Sequence, residues 1–238
     1  MLLHLTNILS ADELTRARAL LLDANAPWID GRSSAGDQAL ARKNNQQLAQ
    51  DSDASRQLQA LVLAALGRDP LFFSAALPRR IFNPLFNRYT GGTNHYGAHI
   101  DNAVVHSRQP DQWVRTDLSC TLFLSDPQDY DGGELVVHAP QGERAIKLPA
   151  GHAVLYSGTT LHEVRPVTRG ARLASFFWIE SMVRSGEQRQ LLFEMDMALL
   201  KLRQRAGAAG DAGDTGTDAA VVQLTGTYHN LLRMWAAT

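Results

Sequence analysis

His99 and Asp101 stand either side of Ile100 in the segment His95-Tyr96-Gly97-Ala98-His99-Ile100-Asp101-Asn102. On a β-strand alternate side chains share a face, so one imidazole and one carboxylate project together while Ile100 turns away. Two imidazoles and one carboxylate make the facial triad of non-haem Fe(II) sites, which leaves coordination positions open. The candidate third ligand is His162, in the strand-like run Leu161-His162-Glu163-Val164-Arg165-Pro166-Val167. Its distance along the chain suits a ligand delivered from a different strand of one barrel. Ten residues further on, Arg172 opens Arg172-Leu173-Ala174-Ser175-Phe176-Phe177-Trp178, where alternation gathers Arg172, Ala174, Phe176 and Trp178 on one face. A guanidinium directed into an apolar interior is costly unless an anion meets it. A dicarboxylate would supply that anion and pair with it bidentately.

Two other functions compete for these residues. His99, Asp101 and His162 could hold Zn²⁺ with an open water position, as in a metal-dependent hydrolase. That reading leaves Arg172 unexplained and supplies no clear general base. A non-catalytic jelly-roll ligand-binding module is the other, but such a module has no need of three convergent ligands. His4, His106, His138, His152 and His229 read as surface or structural. Cys120, the only cysteine, lies in an apolar strand pattern and reads as a buried, inert thiol.

The elements that must position these groups change character twice along the chain. Ser10 and Glu13 have the spacing of a capping box, followed by Leu14, Ala17, Leu20 and Leu21 at helical period. A polar stretch from Gly31 to Gln47 reads as loop and turns with a short strand. A second helix is expected over about 54–66, ended by Gly67 and Pro70. From Ile81 the period shortens. Strands are expected at Pro84–Thr90, Tyr96–Ile100, Asp117–Leu124, Glu134–His138, Glu143–Leu148, Ala153–Tyr156, Leu161–Val167 and Arg172–Glu180. Asp131-Gly132-Gly133, Ala139-Pro140-Gln141-Gly142 and Pro149-Ala150-Gly151 punctuate them. Short strands at this spacing indicate a double-sheet jelly roll or barrel. Helical patterning returns at about 188–205 and 219–235, around a Gly/Ala/Asp/Thr-rich loop at 206–217. The organisation expected is therefore mainly β with flanking helices. An N-terminal helical and mixed segment, 1–80, packs on a β core, 81–180, and a helical extension, 181–238, follows. The apolar faces of that extension admit two covers, the barrel of the same chain or a second copy in a homodimer.

The bulk numbers exclude several classes. With 23 Lys and Arg against 24 Asp and Glu, net charge −1, there is no electrostatic footprint for nucleic acid or an anionic membrane. No run has the length of a membrane span, and the N-terminus lacks the basic and hydrophobic regions of a signal peptide. A single cysteine fits a reducing compartment, so the expected location is cytoplasmic.

Taken together, His99-x-Asp101, His162 and Arg172 resemble the pattern of Fe(II)- and 2-oxoglutarate-dependent dioxygenases. Tyr89 and Tyr96, ten and three residues before the first ligand, resemble the prolyl/lysyl hydroxylase branch, as do Asp131-Gly132-Gly133-Glu134-Leu135 and His162-Glu163-Val164-x-Pro166-Val167. Lys43-Asn44-Asn45-Gln46-Gln47, Pro84-Leu85-Phe86-Asn87-Arg88-Tyr89, Thr121-Leu122-Phe123-Leu124-Ser125-Asp126-Pro127 and Tyr228-His229-Asn230-Leu231-Leu232-Arg233 extend the likeness to bacterial PKHD-type hydroxylases along the whole chain.

The resemblance implies a double-stranded β-helix with Fe(II) on His99, Asp101 and His162. It implies that 2-oxoglutarate chelates the metal, with its far carboxylate on Arg172, and that a substrate is hydroxylated with release of succinate and CO₂. Tyr89 becomes a hydrogen-bond partner for 2-oxoglutarate by the same analogy, and L-ascorbate an accessory reductant. Some relatives set a second tyrosine against the far carboxylate, at the strand where this chain has Phe123. Phe123 lacks the hydroxyl, and Thr121 is the nearest substitute. Asn87 and Arg88 either face the substrate or close a strand. The substrate stays open between a prolyl or lysyl side chain and a small metabolite such as a siderophore-like compound.

Overall fold

In the computed structural model, residues 1–34, 42–91, 94–108, 110–139, 142–208 and 215–238 are described. The chain begins with β1 (Leu2–Leu5), α1 (Ala11–Leu22), β2 (Trp28–Asp30), β3 (Lys43–Asn44), β4 (Gln46–Leu48), α2 (Asp53–Gly67), α3 (Pro70–Ala76) and β5 (Pro78–Ile81). It continues through β6 (Leu85–Thr90), β7 (Asn94–His99), β8 (Val104–Arg108), β9 (Asp111–Arg115), β10 (Leu118–Phe123), β11 (Tyr130–Gly132), β12 (Leu135–Ala139), β13 (Gly142–Ile146), β14 (Ala153–Ser157) and β15 (His162–Ser181). Two helices close it, α4 (Gly186–Ala208) and α5 (Thr215–Trp235).

β15 organises the architecture. The sequence reads as two strands, 161–167 and 172–180, but they form one continuous strand of 20 residues. Its first part pairs antiparallel with β7, β12 and β11, and its second part with β6, β10 and β5. Gly170, at φ +73, sits where the strand passes from one sheet to the other, and a Cβ there would meet the Asp129 carbonyl oxygen at 2.0 Å. A continuous strand can bend through such a residue without breaking, which turn-residue counting does not reveal. The major sheet runs β1-β14-β10-β15-β6-β4-β2. The facing set of β3, β7, β12, β13 and β11 is tied to it through β15. This is the jelly-roll architecture expected from the strand spacing.

Alternation sorts the major sheet into two faces. Cys120, Leu122, Leu155, Leu173 and Phe177 turn outward onto α1 and α2, burying with Ala17, Leu21, Leu58 and Val62. Tyr89, Phe123, Val154 and Tyr156 turn inward toward Leu135, Val137 and Val164 of the facing sheet. α1 has the reciprocal capping box expected, with Ser10 Oγ accepting from Glu13 N and the Glu13 carboxylate accepting from Ser10 N. Pro70 does more than end α2, since it opens α3 at its first turn, where a missing N–H costs nothing. α4 and α5 bury Leu192, Leu199 and Tyr228 with Leu77 and Val183. Of the loop expected at 206–217, residues 209–214 lie outside the described residues, as do 35–41 of the earlier polar stretch and Pro140-Gln141 of the expected turn. The hairpin β8–β9, inserted between Asp101 and β10, has no counterpart among the expected strands. Among the described residues no single helix is long and apolar enough to cross a membrane.

Candidate functional site

The triad is assembled by strand register. His99 ends β7 and His162 begins β15, and the two are direct antiparallel partners. Asp101 follows two residues after β7. Candidate ligand atoms from His99, Asp101 and His162 all lie within 4.8 Å of one another, with His99 Nε2 4.0 Å and His162 Nε2 3.8 Å from the Asp101 carboxylate. Each imidazole points its Nδ1 at a nearby carbonyl, His99 to Gly97 O at 2.8 Å and His162 to Thr160 O at 2.9 Å. A donor bond there leaves the Nε2 lone pairs to converge, the usual way a protein fixes the tautomer of a metal-ligating histidine. Ser119 Oγ donates to Asp101 Oδ2 at 2.6 Å. Tyr96 stacks on the His99 ring at 3.6 Å, and Tyr156 meets His162 edge-on at 5.1 Å. Burial, and then the neighbouring His162, push the His99 imidazole below its ordinary value, so it is neutral near pH 7 as ligation requires.

Arg172 lies deeper along the same strand. It is 1% exposed, and Nε, Nη1 and Nη2 all lack hydrogen-bond partners. Its guanidinium lies 5.3 Å from the ring centroids of Tyr89 and Phe123. Aromatic faces solvate a cation only partly, so this arrangement is built to receive an anion. Tyr89 therefore offers its ring to the guanidinium, and burial raises its phenol above the ordinary value.

One residue escaped sequence reasoning. Tyr130 of β11 is fully buried beside Arg172; burial raises its phenol above the ordinary value and the guanidinium lowers it. It places a phenol beside the guanidinium from a different strand, where Phe123 offers only a ring. Thr121 stands opposite Phe176, and its hydroxyl is hydrogen-bonded with Tyr156. The signal for Tyr130 was present in Tyr130-Asp131-Gly132-Gly133. Gly133 has φ +68, and a Cβ there would lie 3.0 Å from Arg172 Cδ and from Tyr130 Cε2. The glycine lets β11 close onto the guanidinium.

His99, Asp101, His162, Arg172 and Tyr89 line one cavity of about 1430 Å³, together with Lys43, Asn45, Asn87 and Phe176. That exceeds the ~300–1,000 Å³ of a typical small-molecule site, so it has room for a cosubstrate and a second molecule. Trp178 also lines it, edge-on to Phe82 and Phe176. Asn87 faces this space, whereas Arg88 turns away, donating to Gln46 Oε1 and lying over the Trp28 ring. Cys120 is buried on the opposite face of the sheet and its thiol is pushed well up by burial, consistent with an inert role.

The fold and the cavity define an oxygenase of the Fe(II)- and 2-oxoglutarate-dependent class. The family model described as the 2OG-Fe(II) oxygenase superfamily matches residues 84–180, and that described as the PKHD-type hydroxylase C-terminal domain matches residues 187–237. A PKHD-type hydroxylase of Polaromonas sp. (strain JS666) is 57% identical over 238 residues, covering 100% of both chains. One from Nitrosomonas europaea is 52% identical over 236 residues, 99% of each. The chain belongs to the PKHD-type hydroxylases. Solved structures similar in fold include a prolyl hydroxylase from Trichoplax adhaerens, in complex with a hypoxia inducible factor oxygen degradation domain peptide fragment. It has TM-score 0.54 and 17% identity, covering 80% of this chain and 86% of that one. A Pseudomonas putida prolyl-4-hydroxylase gives TM-score 0.51 and 22% identity, with 76% and 92% covered. The protein is thus a hydroxylase that uses Fe²⁺ and 2-oxoglutarate.

Proposed function

We propose that His99, Asp101 and His162 hold the Fe²⁺ and that Arg172, with Tyr130 and Tyr89 around it, seats the far carboxylate of 2-oxoglutarate. The observation that carries this is the buried guanidinium with three unpartnered nitrogens, opening into the cavity that contains the triad. Convergent Nε2 atoms, each backed by a carbonyl on Nδ1, suit a divalent cation.

Metal and cosubstrate, when bound, supply the oxidant from dioxygen, with succinate and CO₂ released. What the chain contributes is position and dryness. Gly97 O and Thr160 O hold the imidazole tautomers, while Ser119 fixes one carboxylate oxygen of Asp101. Tyr96 stops the His99 ring from turning. Arg172 and the Tyr130 hydroxyl fix the cosubstrate's length along β15, and Phe123, Val154 and Leu135 keep bulk water from that end. No side-chain acid or base is required.

The same reading treats 1–80, 81–180 and 181–238 as support, catalytic core and extension, with the first part also lending β1, β2 and β4 to the major sheet. Leu191, Val222 and Met234 on the extension are 57%, 71% and 75% exposed, which favours a homodimer through α4 and α5. Light scattering on the full chain measures that directly.

The test of the cofactor reading is optical. Anaerobic protein with Fe(II) should develop a visible charge-transfer band on adding 2-oxoglutarate. The Asp101→Ala protein should not, and Arg172→Met should need far more 2-oxoglutarate. A band of unchanged intensity and affinity in both variants would refute the assignment.

A further inference from the structure

Tyr130 stands beside Arg172 on a segment that its own sheet fixes only weakly. β11 is three residues long and pairs with β15, with a register shift between Asp131 and Gly132. It ends in Gly132, and Gly133 follows, at φ +70 and +68. A Cβ on Gly132 would meet the Pro166 carbonyl oxygen at 2.0 Å, so the close approach of β11 depends on bare backbone. Two successive glycines of this kind are adjustable, and so short a ladder does little to hold the Tyr130 ring against the guanidinium.

The side chain that pins it comes from elsewhere. Lys147 lies just past β13, which pairs with β12 rather than with β11. Its neighbours Ile146 and Leu148 pack on the inner cluster that contains Tyr89, Phe123 and Tyr130. Lys147 Nζ donates to the Tyr130 carbonyl oxygen at 2.7 Å and lies 4.1 Å from the centroid of the Tyr130 ring. One ammonium thus holds both the backbone and the face of the same tyrosine. A cation over an aromatic face is attracted by the ring quadrupole, the more so where water is kept off. Tyr130 is fully buried and Lys147 partly so. Asp131 also feels the ammonium, but that carboxylate is exposed and held by Arg169 Nε and Nη2 at 2.7 and 3.0 Å. Lys147 is not among the residues that line the cavity of the triad and Arg172, so direct contact with a bound molecule is not what it offers.

Resting on the cofactor assignment above, we infer that Lys147 is a positioning residue for 2-oxoglutarate, which from outside the cavity pins the Tyr130 phenol against Arg172 and so closes the seat of the far carboxylate. The seat is then built from three segments, β15 with Arg172, β11 with Tyr130 and the chain after β13 with Lys147. Its effect is confined to oxo acids that carry a second carboxylate.

The test uses the anaerobic full-length protein loaded with Fe(II), with dissociation constants read from the charge-transfer band and by titration calorimetry. Lys147→Met keeps the aliphatic stem and loses the ammonium. It should raise the Kd for 2-oxoglutarate about 5–10-fold, the worth of one cation–ring contact. Lys147→Gln, a second way of removing the charge, should do the same. For 2-oxobutyrate, which has the same oxo-acid head and no far carboxylate, both variants should bind as wild type does. Lys147→Arg should restore 2-oxoglutarate binding, since a guanidinium also donates and stacks on ring faces. In a Tyr130→Phe background Lys147→Met should add little, because the hydroxyl it positions is gone. An unchanged Kd for 2-oxoglutarate in Lys147→Met and Lys147→Gln, an equal loss for 2-oxobutyrate, no recovery in Lys147→Arg, or a loss undiminished by Tyr130→Phe would each overturn the inference. Absence of the band in wild type, or an Arg172→Met protein that binds 2-oxoglutarate as wild type does, would instead strike the cofactor assignment.

Discussion

Replacing Arg172 by Met should make the metal-free, ligand-free protein more stable while removing its response to 2-oxoglutarate. The guanidinium is 1% exposed and none of its three nitrogens has a hydrogen-bond partner. Breaking even one such requirement costs about 1–3 kcal/mol, and exchanging a buried ion for an apolar side chain of similar length is often stabilising by about 1–4 kcal/mol. Against that stand two aromatic contacts, at 5.3 Å to Tyr89 and to Phe123, each contributing about 2 kcal/mol when desolvated. With three unmet nitrogens at about 1–3 kcal/mol each, the desolvation side wins, by about 1–2 kcal/mol. For a chain of this size that is a rise in Tm of about 2–8 °C. The measurement is thermal unfolding in chelator, followed by circular dichroism, then repeated with a divalent metal and increasing 2-oxoglutarate. Wild type should gain stability with cosubstrate concentration by mass action, and Arg172→Met should not. A variant less stable than wild type by more than about 1 kcal/mol in the absence of ligand would refute the reasoning. It would mean that the protein itself satisfies the guanidinium.

Tyr130→Phe removes a hydroxyl from a charge-assisted contact with the far carboxylate, so the Kd for 2-oxoglutarate should rise about 10–100-fold, with metal affinity unchanged in a calorimetric titration. Gly133→Ala places a Cβ 2.8 Å from Val167 Cγ2 and 3.0 Å from Arg172 Cδ at φ +68. Denaturant unfolding should show a loss of about 1–3 kcal/mol, and 2-oxoglutarate should bind more weakly. Ser119→Ala frees the Asp101 carboxylate from its 2.6 Å bond, which should weaken metal binding about 10–100-fold in a competition assay without moving Tm in chelator by more than a few degrees. Glu13 is held down at about 2 by the Arg68 guanidinium, with the Ser10 cap adding to it. A carboxylate lowered in the folded state stabilises above its unfolded value near 4.5 and loses that contribution as pH falls. The stability advantage of wild type over Glu13→Gln should therefore be present at pH 6 and fade between about pH 4.5 and 2. An advantage independent of pH over that range would exclude the ion pair as its source.

Much of the site was legible because metal and anion chemistry constrain residue type and spacing together. His99 and Asp101 share a face by strand alternation, and Arg172, Ala174, Phe176 and Trp178 do turn inward together. The capping box at Ser10 and Glu13 and the helix ending at Gly67 were equally local, and local rules suffice for them. The hairpin β8–β9 and β1 were missed because short strands carry few residues of pattern. β15 was divided between Val167 and Arg172, whereas only the sheets on either side show that the strand continues through Gly170. Tyr130 was overlooked for a related reason. Its role depends on Gly133 letting β11 approach Arg172, a contact between segments some forty residues apart.

The sequence by itself determined the ligand types, the buried guanidinium, the mainly β core with its flanking helices and the family. These follow from side-chain chemistry and from periodicities of two and 3.6 residues, which are properties of the chain near each residue. Only the tertiary structure decided that His162 pairs with His99, that the Phe123 ring and the Tyr130 phenol both stand beside the Arg172 guanidinium, and that Lys43 and Asn87 line one cavity. Register between strands distant in sequence is set by how all the faces bury at once, and no single segment encodes it.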